Sequence, residues 1–275
     1  MPVTYAAATA SGGTGAVSVA CTPAAGSPFP TGATTVTCTA SDNAGRQASC
    51  TFGVTVATIP LRLQKARFLA FGDSLTEGKL KPFGATLTFD AGPHSYPSTL
   101  RRLLTERYAG QSVTVENEGW SGERATESFR RYLDAIAEHR PEVVLLMHGV
   151  NDLGGEDDED DKILSTAHAI DELTAIARDR ALAVFLATLP PLGPGGKSGE
   201  FCPECVAPLN ERIRSSAAAR GAVLVDVYAA WGGKPNSLMG PDGIHPTEAG
   251  YEAIAQAFFE AIKRTLEAPP GVYAR

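Results

Sequence analysis

Hydrophobic and polar positions alternate with period two in three stretches near the start of the chain, Ala16 to Cys21, Thr34 to Thr39 and Cys50 to Val56. Such alternation is the mark of half-buried strands. Turn-forming sequence separates them, at Pro23 to Gly32 and at Asp42-Asn43-Ala44-Gly45. From Arg67 onward the pattern changes. Short apolar runs at Phe68 to Phe71, Val113 to Glu116, Val143 to Met147, Leu182 to Leu189 and Val223 to Val227 alternate with longer stretches of helical period. Those helices are predicted near residues 96–108, 123–139, 162–180 and 206–219, with a last one at 247–266 in which Tyr251, Ile254, Ala255, Phe258 and Ile262 share a face. Alternating β and α elements imply a mainly parallel sheet with helices on both faces, and a site at the carboxyl ends of the strands.

Composition sharpens the division into modules. Residues 1–57 are rich in Thr, Ala, Ser, Gly and Val and poor in Lys, Glu and Leu, so they form a module of their own. Residues 58–65 read as a linker, 66–268 as the α/β domain and 269–275 as a tail. The apolar runs are strand-sized, well short of the roughly 20 residues that cross a bilayer as a helix. A net charge of −7 argues against a nucleic-acid partner, which calls for a basic surface. Arg101, Arg102 and Arg107 are spaced as the solvated face of a helix, and the acidic run Glu156 to Asp161 as a helix N-terminus favoured by the dipole.

Candidate chemistry lies at the strand ends. The first α/β strand runs directly into Gly72-Asp73-Ser74, placing a hydroxyl where a nucleophile belongs. Near the other end, Asp242-Gly243-Ile244-His245 puts a carboxylate and an imidazole on one loop. A serine is a poor nucleophile until a base takes its proton, and an imidazole does so best when a carboxylate fixes its tautomer. Asn117 to Glu123 and His148 to Asp152 follow the second and third strands and offer backbone and amide donors, the raw material of an oxyanion hole.

Four blocks, GDSLTEG, WSGE, GVND and DGIHPT, occur in the order and strand positions of the SGNH/GDSL hydrolase family, which the region from Arg67 to Leu266 resembles. The resemblance implies a three-layer α/β/α flavodoxin-like fold with a five-stranded, mainly parallel sheet. It implies a triad of Ser74, Asp242 and His245, an oxyanion hole of Ser74, Gly122 and Asn151, and no metal or organic cofactor. Val150 stands where the family often has Thr, and Glu123 where Asp is common. Asp73, Trp120, His148 and Ile244 are candidates for the substrate pocket, with core packing the alternative for Trp120 and a structural role the alternative for His148. The loop from Lys79 to Ser95, with Pro82, Phe83, Gly84, Phe89 and Gly92, is a departure expected to border the pocket. The implied reaction is hydrolysis of short-chain or aryl carboxylic esters. Deacetylation of a polysaccharide is the alternative, and an adhesion or carbohydrate-binding protein with a secondary hydrolase domain is a rival of another class.

The front segment resembles the second half of a hyalin-repeat (HYR) module, a small all-β immunoglobulin-like unit of extracellular proteins. In such a module Cys21 pairs with Cys38 or with Cys50, and sequence does not choose. Cys202 and Cys205 are expected to form a local disulfide. Cysteines in strand-like sequence favour an oxidising compartment. The opening MPVTYAAATA has neither a charged n-region nor an apolar h-region. The expectation is a secreted or extracytoplasmic protein whose export signal lay upstream of this start.

Overall fold

The computed structural model describes residues 1–83, 87–194, 200–269 and 271–274. Gly84, in the loop expected to border the pocket, lies outside them. The chain divides into two compact units, Met1–Arg62 with the C-terminal residues from Ala268, and Leu63–Glu267.

In the first unit, strands β1 (Val17–Thr22), β2 (Gly32–Asp42) and β3 (Gln47–Ile59) are antiparallel. Val36, Cys38, Val54 and Val56 alternate out of β2 and β3 onto one face, where Val3 and Phe29 cover them. Cys21 faces Cys38 in register and is bonded to it, with Cα atoms 4.0 Å apart, while Cys50 is a free, exposed thiol. The structure departs from the expected boundaries at both ends of this module. β3 runs on to Ile59 into the expected linker, and within the expected tail Gly271–Ala274 forms a strand antiparallel to β3.

The second unit is built on five parallel strands, β4 (Arg67–Gly72), β5 (Thr114–Gly119), β6 (Val143–Met147), β7 (Ala183–Ala187) and β8 (Val223–Val225), in the spatial order β8-β7-β6-β4-β5. All five residues of β6 are 0% exposed, because a parallel sheet covered on both faces can use only apolar side chains at its centre. The helices are α2 (Tyr96–Arg107), α3 (Phe129–His139), α4 (Glu159–Asp179), α5 (Val206–Arg220) and α7 (Glu248–Leu266), with single turns α1 (Ser74–Glu77) and α6 (Val227–Ala230). α2 packs on α7 through the stacked rings of Tyr96 and Phe258, whose centroids are 5.1 Å apart, and α4 packs on α5. Right-handed crossovers account for this segregation, because the chain moves outward from β4 to β5 and then returns across β4 to add β6, β7 and β8. The direction therefore reverses between β4 and β6, and a crevice opens at their carboxyl ends.

Two expected elements differ in extent. The helix predicted from residue 123 starts at Phe129, preceded by a 3₁₀ turn at Ala125–Glu127. Asp152 is the cause, since its carboxylate accepts hydrogen bonds from the Ala125 and Thr126 N–H groups and the Thr126 hydroxyl, at 2.7, 3.1 and 2.8 Å. The acidic run behaves as expected, with Asp158 capping α4 and Glu159, Asp160 and Asp161 in its first turn.

Gly72 ends β4 where no side chain fits. A Cβ there would lie 1.9 Å from the Met147 carbonyl oxygen and 2.3 Å from Thr76 Oγ1. Relief would require β4 and β6 to part, so Gly72→Ala is expected to cost at least about 3 kcal/mol, the upper end of ordinary overpacking. Urea denaturation checks this by a lowered midpoint at unchanged slope.

Candidate active site

The nucleophile candidate is set by the residue before it. Asp73 is fully buried and accepts the Leu75 N–H on Oδ1 at 3.0 Å, capping α1 so that Ser74 opens the turn at the end of β4. Its Oδ2 accepts the N–H groups of Gly149 and Val150 at 3.1 and 3.2 Å, binding the loop after β6 to the loop after β4.

Ser74 Oγ lies 2.9 Å from His245 Nε2, and His245 Nδ1 lies 2.7 Å from Asp242 Oδ2. The other carboxylate oxygen, Oδ1, accepts the N–H groups of Ile244 and His245 at 3.1 and 2.9 Å. Burial works against the charge on Asp242, but the His245 ring and these N–H donors outweigh it and hold the carboxyl at about 2. Asp242 is therefore ionised at neutral pH and fixes which ring nitrogen of His245 keeps its proton. Ser74 is 5% and His245 4% exposed, and both line a cleft of about 130 Å³.

Gly122 and Asn151 share that cleft with them, as do Lys79, Thr88, Ser121 and Ile244. Gly122 has φ 82°, a left-handed conformation that favours glycine, although a Cβ there would meet nothing within 4 Å. Backbone shape therefore explains this glycine, and space does not. The Asn151 side chain donates one N–H to the Glu123 carbonyl at 2.9 Å, tying the two donor loops together. Beyond Gly122 and Asn151 a wider groove of about 580 Å³ continues past Arg124, Gly154, Gly155, Glu156, Glu200 and Phe201.

Of the four pocket candidates, Ile244 lines the cleft, whereas Asp73 and His148 lie beneath it at 0% and 1% exposure, and Trp120 is 62% exposed. Asp73 and His148 are supports: both Asp73 carboxylate oxygens and His148 Nδ1 are hydrogen-bonded to the neighbouring loops, while the buried His148 Nε2 lies beside the Glu123 carboxylate without a hydrogen bond to it. The loop from Lys79 to Ser95 contributes Lys79 and Thr88 to the cleft, while Phe83 is 95% exposed. Cys202 and Cys205 are bonded, and the backbone there pairs with the loop after Asn151: Gly155 N–H donates to Glu200 and Cys202 N–H to Leu153, at 3.1 Å each.

Sequence reasoning missed Arg131. Its guanidinium makes a two-pronged ion pair with Glu123, donates to the carbonyls of Glu118 and Gly72 at 2.8 and 3.2 Å, and lies 4.0 Å from the Phe71 ring centre. Burial opposes the Glu123 charge, but Arg131 and His148 draw its carboxyl down to about 2. Eight residues separate Arg131 from Glu123, with a turn between, so no helical spacing signals the pair.

Residues 70–253 match the GDSL-like Lipase/Acylhydrolase family. The chain belongs to that family. It is a hydrolase, and the chemistry of its family is ester hydrolysis. Residues 1–56 match the HYR domain, in agreement with the antiparallel front module. Among curated relatives of this GDSL-like hydrolase, an acetylxylan esterase of Geobacillus stearothermophilus is 24% identical over 71% of the chain and 93% of that protein. A GDSL lipase of Mycobacterium tuberculosis is 27% identical over 71% of the chain and 80% of the lipase. A multidomain esterase of Ruminococcus flavefaciens is 26% identical over 60% of the chain, and the match spans only 21% of that larger protein. In fold, the crystal structure of a lipase/acylhydrolase from Enterococcus faecalis superposes with a TM-score of 0.58 at 21% identity, covering 73% of this chain and 97% of the other.

Proposed function

We propose that this hydrolase cleaves short-chain carboxylic esters through a serine acyl-enzyme. The observation that carries the reading is the hydrogen-bonded succession from Asp242 through His245 to Ser74, opening into the cleft that Gly122 and Asn151 share. His245 takes the Ser74 proton as Oγ attacks the ester carbonyl. The negative oxygen is met by the Ser74 and Gly122 N–H groups and the second N–H of Asn151. His245 then protonates the leaving alcohol, and water repeats the sequence on the acyl-enzyme. Asp242 stays ionised throughout and steadies the imidazolium.

The narrow cleft at Ser74 suits a small acyl group, and the open groove past Gly122 suits the alcohol side. A second reading, removal of acetyl groups from a polysaccharide, is favoured by that groove, whose charged and aromatic residues Arg124, Glu200 and Phe201 match the hydroxyls and faces of sugar rings. The Cys21–Cys38 and Cys202–Cys205 bonds support work in an oxidising, extracytoplasmic compartment.

A panel of aryl esters from acetate to decanoate, run beside acetylated glycans, tests both statements. Expected is a kcat/KM that falls by about tenfold or more beyond the shortest chains, since a single excess methylene in a fitted pocket costs on the order of 1 kcal/mol or more. Rates rising toward decanoate would sink the short-acyl reading. Acetate release from glycan no faster than from the aryl ester would sink the second.

A further inference from the structure

His148 is buried, has no place in proton transfer to or from Ser74, and sits where the three donor loops cross. It directly follows β6, and its Nδ1 is hydrogen-bonded to Asp73 Oδ2 at 3.3 Å, while its Nε2, buried and with no hydrogen-bond partner among the described residues, lies within ion-pair distance of Glu123 Oε2, also at 3.3 Å. Asp73 precedes Ser74, Glu123 follows Gly122, and His148 itself is three residues before Asn151. Each proposed oxyanion donor thus has a neighbour in chain that is, or touches, this imidazole. The Glu123 carbonyl also receives the Asn151 amide at 2.9 Å, which closes the circuit.

We propose that His148 is a positioning residue for the oxyanion hole, acting as an imidazolium that bridges Asp73 and Glu123 and so keeps Ser74, Gly122 and Asn151 in register. A neutral imidazole has one N–H and can serve one carboxylate, and only the cation serves both. In the neutral form one ring nitrogen would turn a lone pair toward a carboxylate oxygen at 3.3 Å. The Gly149 N–H, shared between Asp73 Oδ2 and His148 Nδ1 at 3.1 and 3.0 Å, would then be the remaining tie on the Asp73 side.

The carboxylates around the ring act in one direction. Burial alone would discharge it, but Asp73 and Glu123 at the two nitrogens, with Asp152 farther off, lift His148 to about 8. Arg131 is the opposing cation, and its two-pronged pairing with Glu123 also anchors that carboxylate. The imidazole and the Phe71 ring meet edge to face, with centroids 5.7 Å apart, and the Arg131 guanidinium lies over that same Phe71 ring. The group loses its proton as pH rises through about 8, so the consequence is an alkaline loss of activity.

The proposal rests on the serine-esterase reading, and two measurements on the full chain test it apart from that reading. Nitrogen-15 spectra of the five histidines, with His148 assigned by substituting the other four in turn, should show both its nitrogens protonated at pH 7 and the proton lost above about pH 8. A neutral single-tautomer pattern at pH 7 overturns the proposal, whether or not any variant folds. For His148→Gln, expected is a kcat about tenfold lower with KM within about twofold, because misplaced oxyanion donors tax the transition state and spare the bound ester. The alkaline limb should also disappear. A variant with wild-type kcat and an intact alkaline limb overturns the proposal as well. Fluorophosphonate labelling of Ser74 keeps the two readings distinct: failure to label the wild type condemns the esterase mechanism and leaves the His148 spectrum to be judged by itself.

Discussion

Ser74→Ala is expected to lower kcat by about 10⁴-fold or more, the scale seen when a serine nucleophile is lost. The change removes a single oxygen, 2.9 Å from His245 Nε2 in a cleft of about 130 Å³. The backbone at Ser74 is held independently by Asp73, so the turn, the donor N–H and the strand end survive. Stability should therefore shift by no more than about 1 kcal/mol, the net worth of one hydrogen bond. What activity remains is expected to come from the proposed oxyanion donors and from substrate binding. Steady-state hydrolysis of an aryl acetate gives the rate, and urea denaturation of the same sample shows that the fold is intact.

Asn151→Ala carries the second large effect, an expected loss of about 10² to 10³ in kcat, the measured cost of deleting one oxyanion donor elsewhere. KM should move by less than about threefold, because a ground-state carbonyl needs this donor far less than the tetrahedral oxyanion does. Asn151 also holds the Glu123 carbonyl at 2.9 Å, so part of the loss comes through the Gly122 loop. Asn151→Asp separates the contributions. It preserves size but takes away both N–H groups and adds a negative charge beside the developing oxyanion, so it should be slower still than the Ala variant.

The legible parts of this molecule were those whose cause is local. β6 reads as a strand because a fully covered parallel strand must be apolar throughout, and Val143 to Met147 is so. α7 reads as a helix from one apolar face and from Thr247, whose hydroxyl accepts the Gly250 N–H as cap. The succession Asp242, His245 and Ser74 was legible for a different reason, since each residue sits in a block whose order along the chain resembles a known family.

What was hidden depends on partners far away in sequence. Residues 123–128 have helical composition, yet Asp152 takes their N–H groups and holds them as a turn. The strand at Gly271–Ala274 pairs with β3 more than two hundred residues earlier, so nothing near the C-terminus announced it. Asp73 and His148 have the chemistry of pocket residues but point into the protein, and only the packing of three loops reveals that. In the front module the choice between Cys38 and Cys50 as the partner of Cys21 depends on strand order and register, which place Cys38 opposite Cys21, and spacing along the chain does not give either.

The central claim, that Ser74 is the nucleophile activated by His245, is tested most directly by mass spectrometry after reaction with a fluorophosphonate. The account predicts a single adduct on the peptide containing Ser74, formed rapidly by the wild type and slowed by at least about a hundredfold in His245→Ala, which lacks the base. An adduct on any other residue, or labelling of Ser74 at the same rate without His245, would contradict it.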